Sequence, residues 1–260
     1  MFAEADLTRD AFLGGRVQAW QPKSGYRAAT DPVFLAAACG AQAGEGVLEL
    51  GCGAGVASLC LAARVSGLHL IGVERQADYA ELARRNCNEA GLAMEVITAD
   101  LTALPPALRQ ESFDHIIANP PYYATGGGTA ATDQGREAAL REDTPLADWT
   151  DVAARRLAPK GWLTMIQAAD RLPDVLTALA YSFGTIHVLP LASRFGRPAR
   201  RVLLKAQKSG RGPFTLLAPM ILHEGETHER DGDDYAPIAK AILRDAAAVD
   251  WSYPPKSHPI

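Results

Sequence analysis

Val47-Leu48-Glu49-Leu50-Gly51-Cys52-Gly53-Ala54-Gly55 reads as a short apolar strand running into a glycine turn, and Val56 to Arg64 follows it as a helix. Leu68 to Val73 is a second strand, ending at Glu74. Ala77 to Glu89 is a helix with Ala80, Leu82, Ala83 and Cys87 available for an apolar face, and Gly91 closes it. Met94 to Ala99 is a third strand, ending at Asp100. Phe113 to Ala118 is a fourth, opening into Asn119-Pro120-Pro121-Tyr122. Farther out, the pattern predicts a helix over 147–157, a turn at Pro159-Lys160-Gly161, a strand over 162–167, a helix over 173–181, and strands over 185–189 and 201–205. This alternation predicts an α/β fold with an open, doubly wound sheet.

Upstream, residues 1–27 carry mixed polarity with Gly14-Gly15 and Pro22, and read as a lead-in strand pair or irregular cap. Asp31-Pro32 then starts a helix, with Asp31 as its cap and Pro32 in the first turn, where no amide bond is lost. With 260 residues, 48% apolar and 22% charged, the chain can bury a substantial core. The net charge of -4 neither suggests nor excludes nucleic acid, because binding depends on local patches. Cys39, Cys52, Cys60 and Cys87 lack metal-ligand spacing, so buried free thiols and no metal are expected. The opening residues do not fit a signal peptide and no apolar run is long enough for a membrane span, so a cytoplasmic location is expected.

In doubly wound sheets, ligands sit outside the carboxyl ends of the strands, where every residue of interest falls. Gly51, Gly53 and Gly55 permit a tight turn and close backbone approach. The third glycine comes one residue too early for the dinucleotide fingerprint, and no basic residue favours a pyrophosphate. S-adenosylmethionine, a compact nucleoside with a sulfonium and an amino acid moiety, fits better than NAD. Glu49 suits its ammonium or sulfonium. Glu74 suits its ribose hydroxyls, and Asp100 its adenine amine. An ordinary solvated strand end at Glu74 and a turn cap at Asp100 are the alternatives.

Asn119 begins the reactive end. Its side-chain oxygen and the Pro120 carbonyl can each accept one hydrogen of a planar amine, aiming the nitrogen lone pair at a methyl group. Two prolines stiffen the turn in advance. Tyr122 offers a face for stacking a base, with Tyr123 as a second wall, and no strong general base is needed. A rigid turn that happens to contain Asn and Pro is the alternative.

These segments resemble the class I S-adenosylmethionine-dependent methyltransferases, within the amino-methylating group with an Asn-Pro-Pro-aromatic motif. More narrowly, Tyr26 to Ala36, Asn119 to Tyr123 and Arg200 to Leu204 are similar to bacterial enzymes that make N6-methyladenine next to the anticodon of a valine tRNA. The resemblance implies a Rossmann-like, mostly parallel seven-stranded sheet with an antiparallel last strand. The expected organisation is an N-terminal lead-in or cap over 1–30 and a methyltransferase domain over 31–260 that includes a basic C-terminal tract. By the same resemblance Asp31, Glu49, Gly51, Gly53, Gly55, Glu74, Asp100 and Asn119 contact S-adenosylmethionine, and Asn119, Pro120 and Tyr122 are catalytic. This chain has Asp31-Pro32 where the family often has aspartate then glycine.

The implied partner is tRNA. Between Leu191 and Gly212 lie Arg194, Arg197, Arg200, Arg201, Lys205, Lys208 and Arg211 with Phe195 and no acidic residue, a tract that can track phosphates. Arg9, Arg16, Lys23 and Arg27 can extend it, and a solvated basic loop is the alternative. Acidic residues crowd 223–234 and are expected on the far side or edge. Residues 124–135 read as an active-site loop where substrate choice is set. The rival acceptor is a glutamine of a release-factor protein, whose amide offers the same NH2 geometry without needing the basic tract. The amine of another RNA or DNA base, and a module that holds S-adenosylmethionine without turnover, are the further alternatives.

Overall fold

The computed structural model describes residues 2–124, 141–142, 144–225 and 234–252. An antiparallel hairpin, β1 (Leu7–Phe12) and β2 (Val17–Pro22), leads into α1 (Asp31–Ala38). Then follow β3 (Gly46–Leu50), α2 (Val56–Arg64), β4 (His69–Glu74), α3 (Ala77–Glu89), β5 (Met94–Thr98), α4 (Pro106–Gln110) and β6 (Phe113–Ala118). Two-residue strands β7 (Tyr123–Ala124) and β8 (Arg141–Glu142) pair with each other. The remainder is α5 (Leu146–Arg156), β9 (Leu157–Ala168), α6 (Leu172–Leu179), β10 (Phe183–Ala192), β11 (Arg201–Lys208), β12 (Thr215–Leu216), β13 (Met220–Ile221) and α7 (Pro237–Asp245).

The main sheet runs β10-β11-β9-β6-β3-β4-β5, with β11 antiparallel to both its neighbours. This is the Rossmann-like, doubly wound seven-stranded sheet that the sequence implies. The short strands β12 and β13 widen it along the outer edge of β10. Successive side chains of a strand point to opposite faces, so the sheet feeds two cores. Val47 and Ile117 pack toward α1, α2 and α7, whereas Leu48, Leu50 and Ile116 pack toward α5 and α6. Each fully buried aliphatic side chain contributes about 1.5–3 kcal/mol. The apolar interior thus supplies the stability, and the carboxyl edge is left for polar groups.

The hairpin is fastened to α3 by Asn86, which is almost fully buried. Its Oδ1 accepts from the Trp20 amide at 2.7 Å, while Nδ2 donates to the carbonyls of Trp20 at 3.0 Å and Ala54 at 2.9 Å. The Arg85 guanidinium lies 4.3 Å from the Trp20 ring. This attachment carries the segment after β2 over the glycine turn.

Several expectations change. Asp31 does not cap α1: Thr30 precedes the helix in a helical conformation without a side-chain cap, and the Asp31 carboxylate turns elsewhere. Pro159-Lys160-Gly161 is no turn between elements but lies within β9, with Lys160 at φ 66° and a shift in the β6 register. Between β5 and β6, where the sequence pattern predicts no element, Pro106 begins a short helix. Helix α7 was missed, although Ala239, Ile242 and Leu243 carry its buried face at helical spacing. The four cysteines are free and buried, as expected, and among the described residues no helix is long and apolar enough to cross a membrane.

Gly72 lies inside β4, where an added Cβ would come within 2.9 Å of the Cys52 sulfur and 3.1 Å of its Cβ. Gly72→Ala is expected to lower unfolding free energy by about 1–3 kcal/mol through overpacking, read from the urea midpoint. An unchanged midpoint would contradict this close packing.

Candidate active site

The glycine turn follows β3 because Gly51, Gly53 and Gly55 all take positive φ, at 64°, 53° and 81°. Space adds a second requirement at Gly51: a Cβ there would sit 2.6 Å from Cη2 of Trp149. The indole, on α5, is steadied by its Nε1 donating to the Thr144 carbonyl at 3.2 Å. Gly53 instead faces the Tyr26 ring, 3.7 Å from where its Cβ would be.

Two buried carboxylates border this turn. Glu74 accepts from the Gly53 amide through Oε2 at 2.9 Å and from the Gln76 amide through Oε1 at 2.8 Å. Both oxygens are fixed, yet each retains acceptor capacity. Glu49 accepts through Oε2 from the Ser58 amide at 3.1 Å and from the Ser58 hydroxyl. It therefore ties β3 to the first turn of α2. Burial pushes its carboxyl up to about 8, which weakens the charge that the sequence reading assigned to it.

Asp100 takes the role given as its alternative. Its Oδ1 accepts from the Thr102 amide at 2.8 Å and hydroxyl at 2.7 Å, and these bonds hold its carboxyl below the usual range. Its neighbours Ala99 and Leu101, not Asp100 itself, line the cavity.

At the end of β6, Asn119 donates through Nδ2 to the Tyr26 hydroxyl at 3.1 Å. The Tyr122 hydroxyl lies 2.5 Å from Asp31 Oδ2 and 3.0 Å from Asn119 Oδ1, so its single proton faces two acceptors. Burial first, and then the Asp31 charge, push the Tyr122 phenol upward. Arg201 closes the group: its Nε pairs with Asp31 Oδ2 at 3.2 Å and its guanidinium carbon lies 4.3 Å from the Tyr122 ring centre. One face of Tyr122 is thus covered by Arg201 rather than open for a base. The fully buried Gln167 reaches from β9 to the carbonyls of Pro120 at 3.4 Å and Pro121 at 3.3 Å.

One cavity of about 650 Å³ opens at the carboxyl ends of β3, β4 and β6, a volume within the usual range for small-molecule sites. Glu49, Gly51, Gly53 and Glu74 border it, and so do Asp31, Asn119, Pro120, Tyr122 and Arg201. Gly55 is not among the lining residues; it starts α2, as the residue before the helix. Tyr26, Trp149 and Gln167 were assigned no role from sequence. A glycine needing an aromatic partner signals Trp149 and Tyr26 only after folding. The Tyr123 side chain and residues 125–135 of the expected active-site loop lie outside the described residues.

The basic tract is not one surface. Arg194 is buried and pairs with Asp234 and the Glu224 carbonyl. This overturns its assignment to an RNA contact, and it brings Glu224 and Asp234 beside the tract, along the sheet edge that the sequence allows rather than on a far side. Residues 226–233 lie outside the described residues. Arg201 faces Asp31, Lys205 lies 4.9 Å from both the Trp162 and Trp251 rings, and Lys208 donates to the Leu157 carbonyl. Arg197, Arg200 and Arg211 are exposed. Arg211 follows the end of β11 opposite Arg201, roughly 20 Å away at strand spacing. Arg27 pairs with Asp10 at 2.6 Å and lines the cavity with Lys23.

The Glu49 carboxyl moves from an ordinary 4.5 to about 8. Between these values the folded chain keeps a proton that the unfolded chain has released, so its contribution is full below 4.5 and is lost as pH rises through about 8. Glu49→Gln keeps an acceptor for Ser58 and removes the titration. From about pH 5 to about pH 8 the cofactor-free wild type is expected to lose unfolding free energy relative to this variant. A difference that stays constant would contradict the raised carboxyl.

Residues 32–196 match the model of the methyltransferase small domain family. A tRNA1(Val) (adenine(37)-N6)-methyltransferase of Shewanella baltica (strain OS195) is 32% identical over 206 residues, 77% of this chain and 85% of that protein. Another with that name from Porphyromonas gingivalis (strain ATCC 33277) is 28% identical, over 84% of this chain and 89% of that one. Among solved structures, the Agrobacterium tumefaciens protein Atu636, described as a predicted O-methyltransferase, superposes with a TM-score of 0.69. It is 28% identical and covers 84% of this chain and 98% of its own. The chain belongs to the methyltransferase small domain family: it is a class I S-adenosylmethionine-dependent methyltransferase, related to the tRNA (adenine-N6)-methyltransferases.

Proposed function

We propose that this chain methylates the exocyclic N6 amine of an adenine in tRNA, in the anticodon loop of a valine tRNA as the names of its relatives suggest. The observation carrying this reading is that one cavity joins the glycine turn and Glu74 to Asn119 and Pro120. The residues present suit the cofactor. Glu74, oriented by two amides, has acceptor capacity left for ribose hydroxyls. The turn exposes backbone instead of side chains at Gly51 and Gly53, and a bound cation would draw Glu49 back toward its ionised form. When bound, S-adenosylmethionine supplies an electrophilic methyl group on sulfonium.

The chain's own residues present the acceptor. Asn119 Oδ1 and the Pro120 carbonyl take the two amine hydrogens and stabilise the positive charge that grows on nitrogen. The methylated nitrogen, now cationic and strongly acidic, gives its proton to water, and the neutral N6-methyl amine leaves. Pro120 and Pro121 fix the turn, and Gln167 braces both carbonyls without exhausting their lone pairs. A base entering the mouth takes over Asn119 Oδ1 from the Tyr122 hydroxyl and stacks against the Tyr122 ring. Exposed Arg197 and Arg200, in the loop leading to Arg201, contact phosphate beside the mouth. Residues 1–30 act as a cap over the domain 31–260, and the reaction belongs to the cytoplasm, where tRNA and reduced thiols are found.

Transfer to a protein glutamine is the second reading. It gains from the internal pairing of Arg194, Arg201, Lys205 and Lys208, which leaves a smaller cationic surface for RNA.

Labelled S-adenosylmethionine offered with total tRNA, and separately with a release-factor protein, is expected to leave N6-methyladenosine in tRNA. Label on glutamine and none in RNA would overturn the assignment. Asn119→Ala is expected to reduce transfer at least about 100-fold with little change in cofactor Kd; parallel loss of both would deny it a role in transfer. Arg197→Ala with Arg200→Ala is expected to lower the salt-dependence slope of RNA binding by ~0.7–0.9 for each lost contact. An unchanged slope would remove these two residues from the RNA surface.

A further inference from the structure

Asn119 must present its oxygen, not its nitrogen, to an incoming amine. A carboxamide turned by half a rotation would set NH2 against NH2, two donors with no acceptor between them. Something has to fix its orientation. The Tyr122 hydroxyl is a poor reference, because its single proton also faces Asp31 Oδ2 at 2.5 Å and it lies on the side of the oxygen that the substrate must approach. The contact left is on the other side, where Nδ2 donates to the Tyr26 hydroxyl at 3.1 Å.

Tyr26 is itself well placed to be a fixed reference. Its backbone carbonyl accepts from the Tyr79 hydroxyl of α3 at 3.0 Å, and Phe2 packs edge-on against Tyr79 with ring centres 5.2 Å apart. Its ring lies against Gly53 and its hydroxyl turns inward to Asn119, so one side chain touches both the glycine turn and the reactive turn. Burial pushes its phenol upward, so the hydroxyl stays protonated, and in the observed arrangement its oxygen accepts from Nδ2.

We propose that Tyr26 is a positioning residue that holds the Asn119 carboxamide with Oδ1 toward the acceptor amine. It touches neither reacting atom; it acts through the Nδ2 bond. The inference rests on the amino-transfer reading above and assigns a residue to which that reading gave no part.

Tyr26→Phe removes the hydroxyl and keeps the ring against Gly53. With tRNA as acceptor, kcat is expected to fall roughly 3- to 10-fold, the scale of one lost hydrogen bond, while the KM for S-adenosylmethionine stays unchanged. In an Asn119→Asp background the same change is expected to alter kcat less than about twofold, because a carboxylate presents an oxygen in either orientation. An equal fall in both backgrounds would overturn the proposal by showing a merely structural loss. A second readout needs no acceptor: in the enzyme bound to S-adenosylmethionine, the Asn119 side-chain NH2 signals should shift and exchange faster with solvent in Tyr26→Phe. Unchanged signals overturn the positioning role whatever the acceptor is. Shifted signals with tRNA left unmethylated by the wild type would instead overturn the acceptor assignment and support the role of Tyr26.

Discussion

The Asn119 carboxamide lies between two phenols, 3.1 Å from the Tyr26 hydroxyl and 3.0 Å from that of Tyr122, and four chain segments meet through this contact. Tyr26 comes from the segment after the hairpin, Tyr122 from the proline turn, Asp31 from the start of α1, and Arg201 from the start of β11. None is near another in the chain except Tyr26 and Asp31. What fixes their meeting point is β6, paired on one side with β3 and on the other with β9. Ile116, Ile117 and Ala118 are fully buried, so the strand cannot shift without opening a core. Asn119 is the first residue after this strand, and its backbone inherits that rigidity.

Polar groups at the sheet's carboxyl edge are then oriented before any ligand arrives. Glu74 has an amide on each oxygen, Glu49 is fastened to Ser58, and Gln167 braces the proline carbonyls. Preset acceptors avoid the ordering cost that flexible ones would meet during the reaction. The cluster of Asp31, Tyr122 and Arg201 is of another kind. It satisfies its charges internally, with Arg201 over one face of the Tyr122 ring and the Tyr122 hydroxyl on Asn119 Oδ1; on the proposed reading a base takes over that contact and uses the other face. Replacing a neutral contact at Asn119 Oδ1 with an amine that bears growing positive charge strengthens that bond, because hydrogen bonds to charged groups are roughly twice as strong.

Local rules made the framework legible. Apolar runs of strand length and the helical spacing of Ala80, Ala83 and Cys87 located the main sheet and its helices. The cavity also showed through, because Gly51, Glu74 and Asn119 fall at strand ends, where this fold concentrates function; Asp100 falls at one too but serves as a turn cap. Long-range partnerships were not legible. Tyr26 and Asn119 are 93 residues apart, and Asp31 and Arg201 are 170 apart. The basic tract shows the same gap: seven positive charges could be counted, but the pairing of Arg194 with Asp234 or the lodging of Lys205 between two tryptophans depends on tertiary neighbours. Strands β12 and β13 are too short to show any period.

The central claim is that Asn119 and Pro120 receive the acceptor amine. Its most direct measurement is a crystal structure of the protein with S-adenosylhomocysteine and an unmodified valine tRNA anticodon stem-loop. The account predicts an adenine amine within hydrogen-bond distance of both Asn119 Oδ1 and the Pro120 carbonyl, with Asn119 Nδ2 still on Tyr26. An adenine bound away from these oxygens, with Tyr122 still on Asn119 Oδ1, would contradict it.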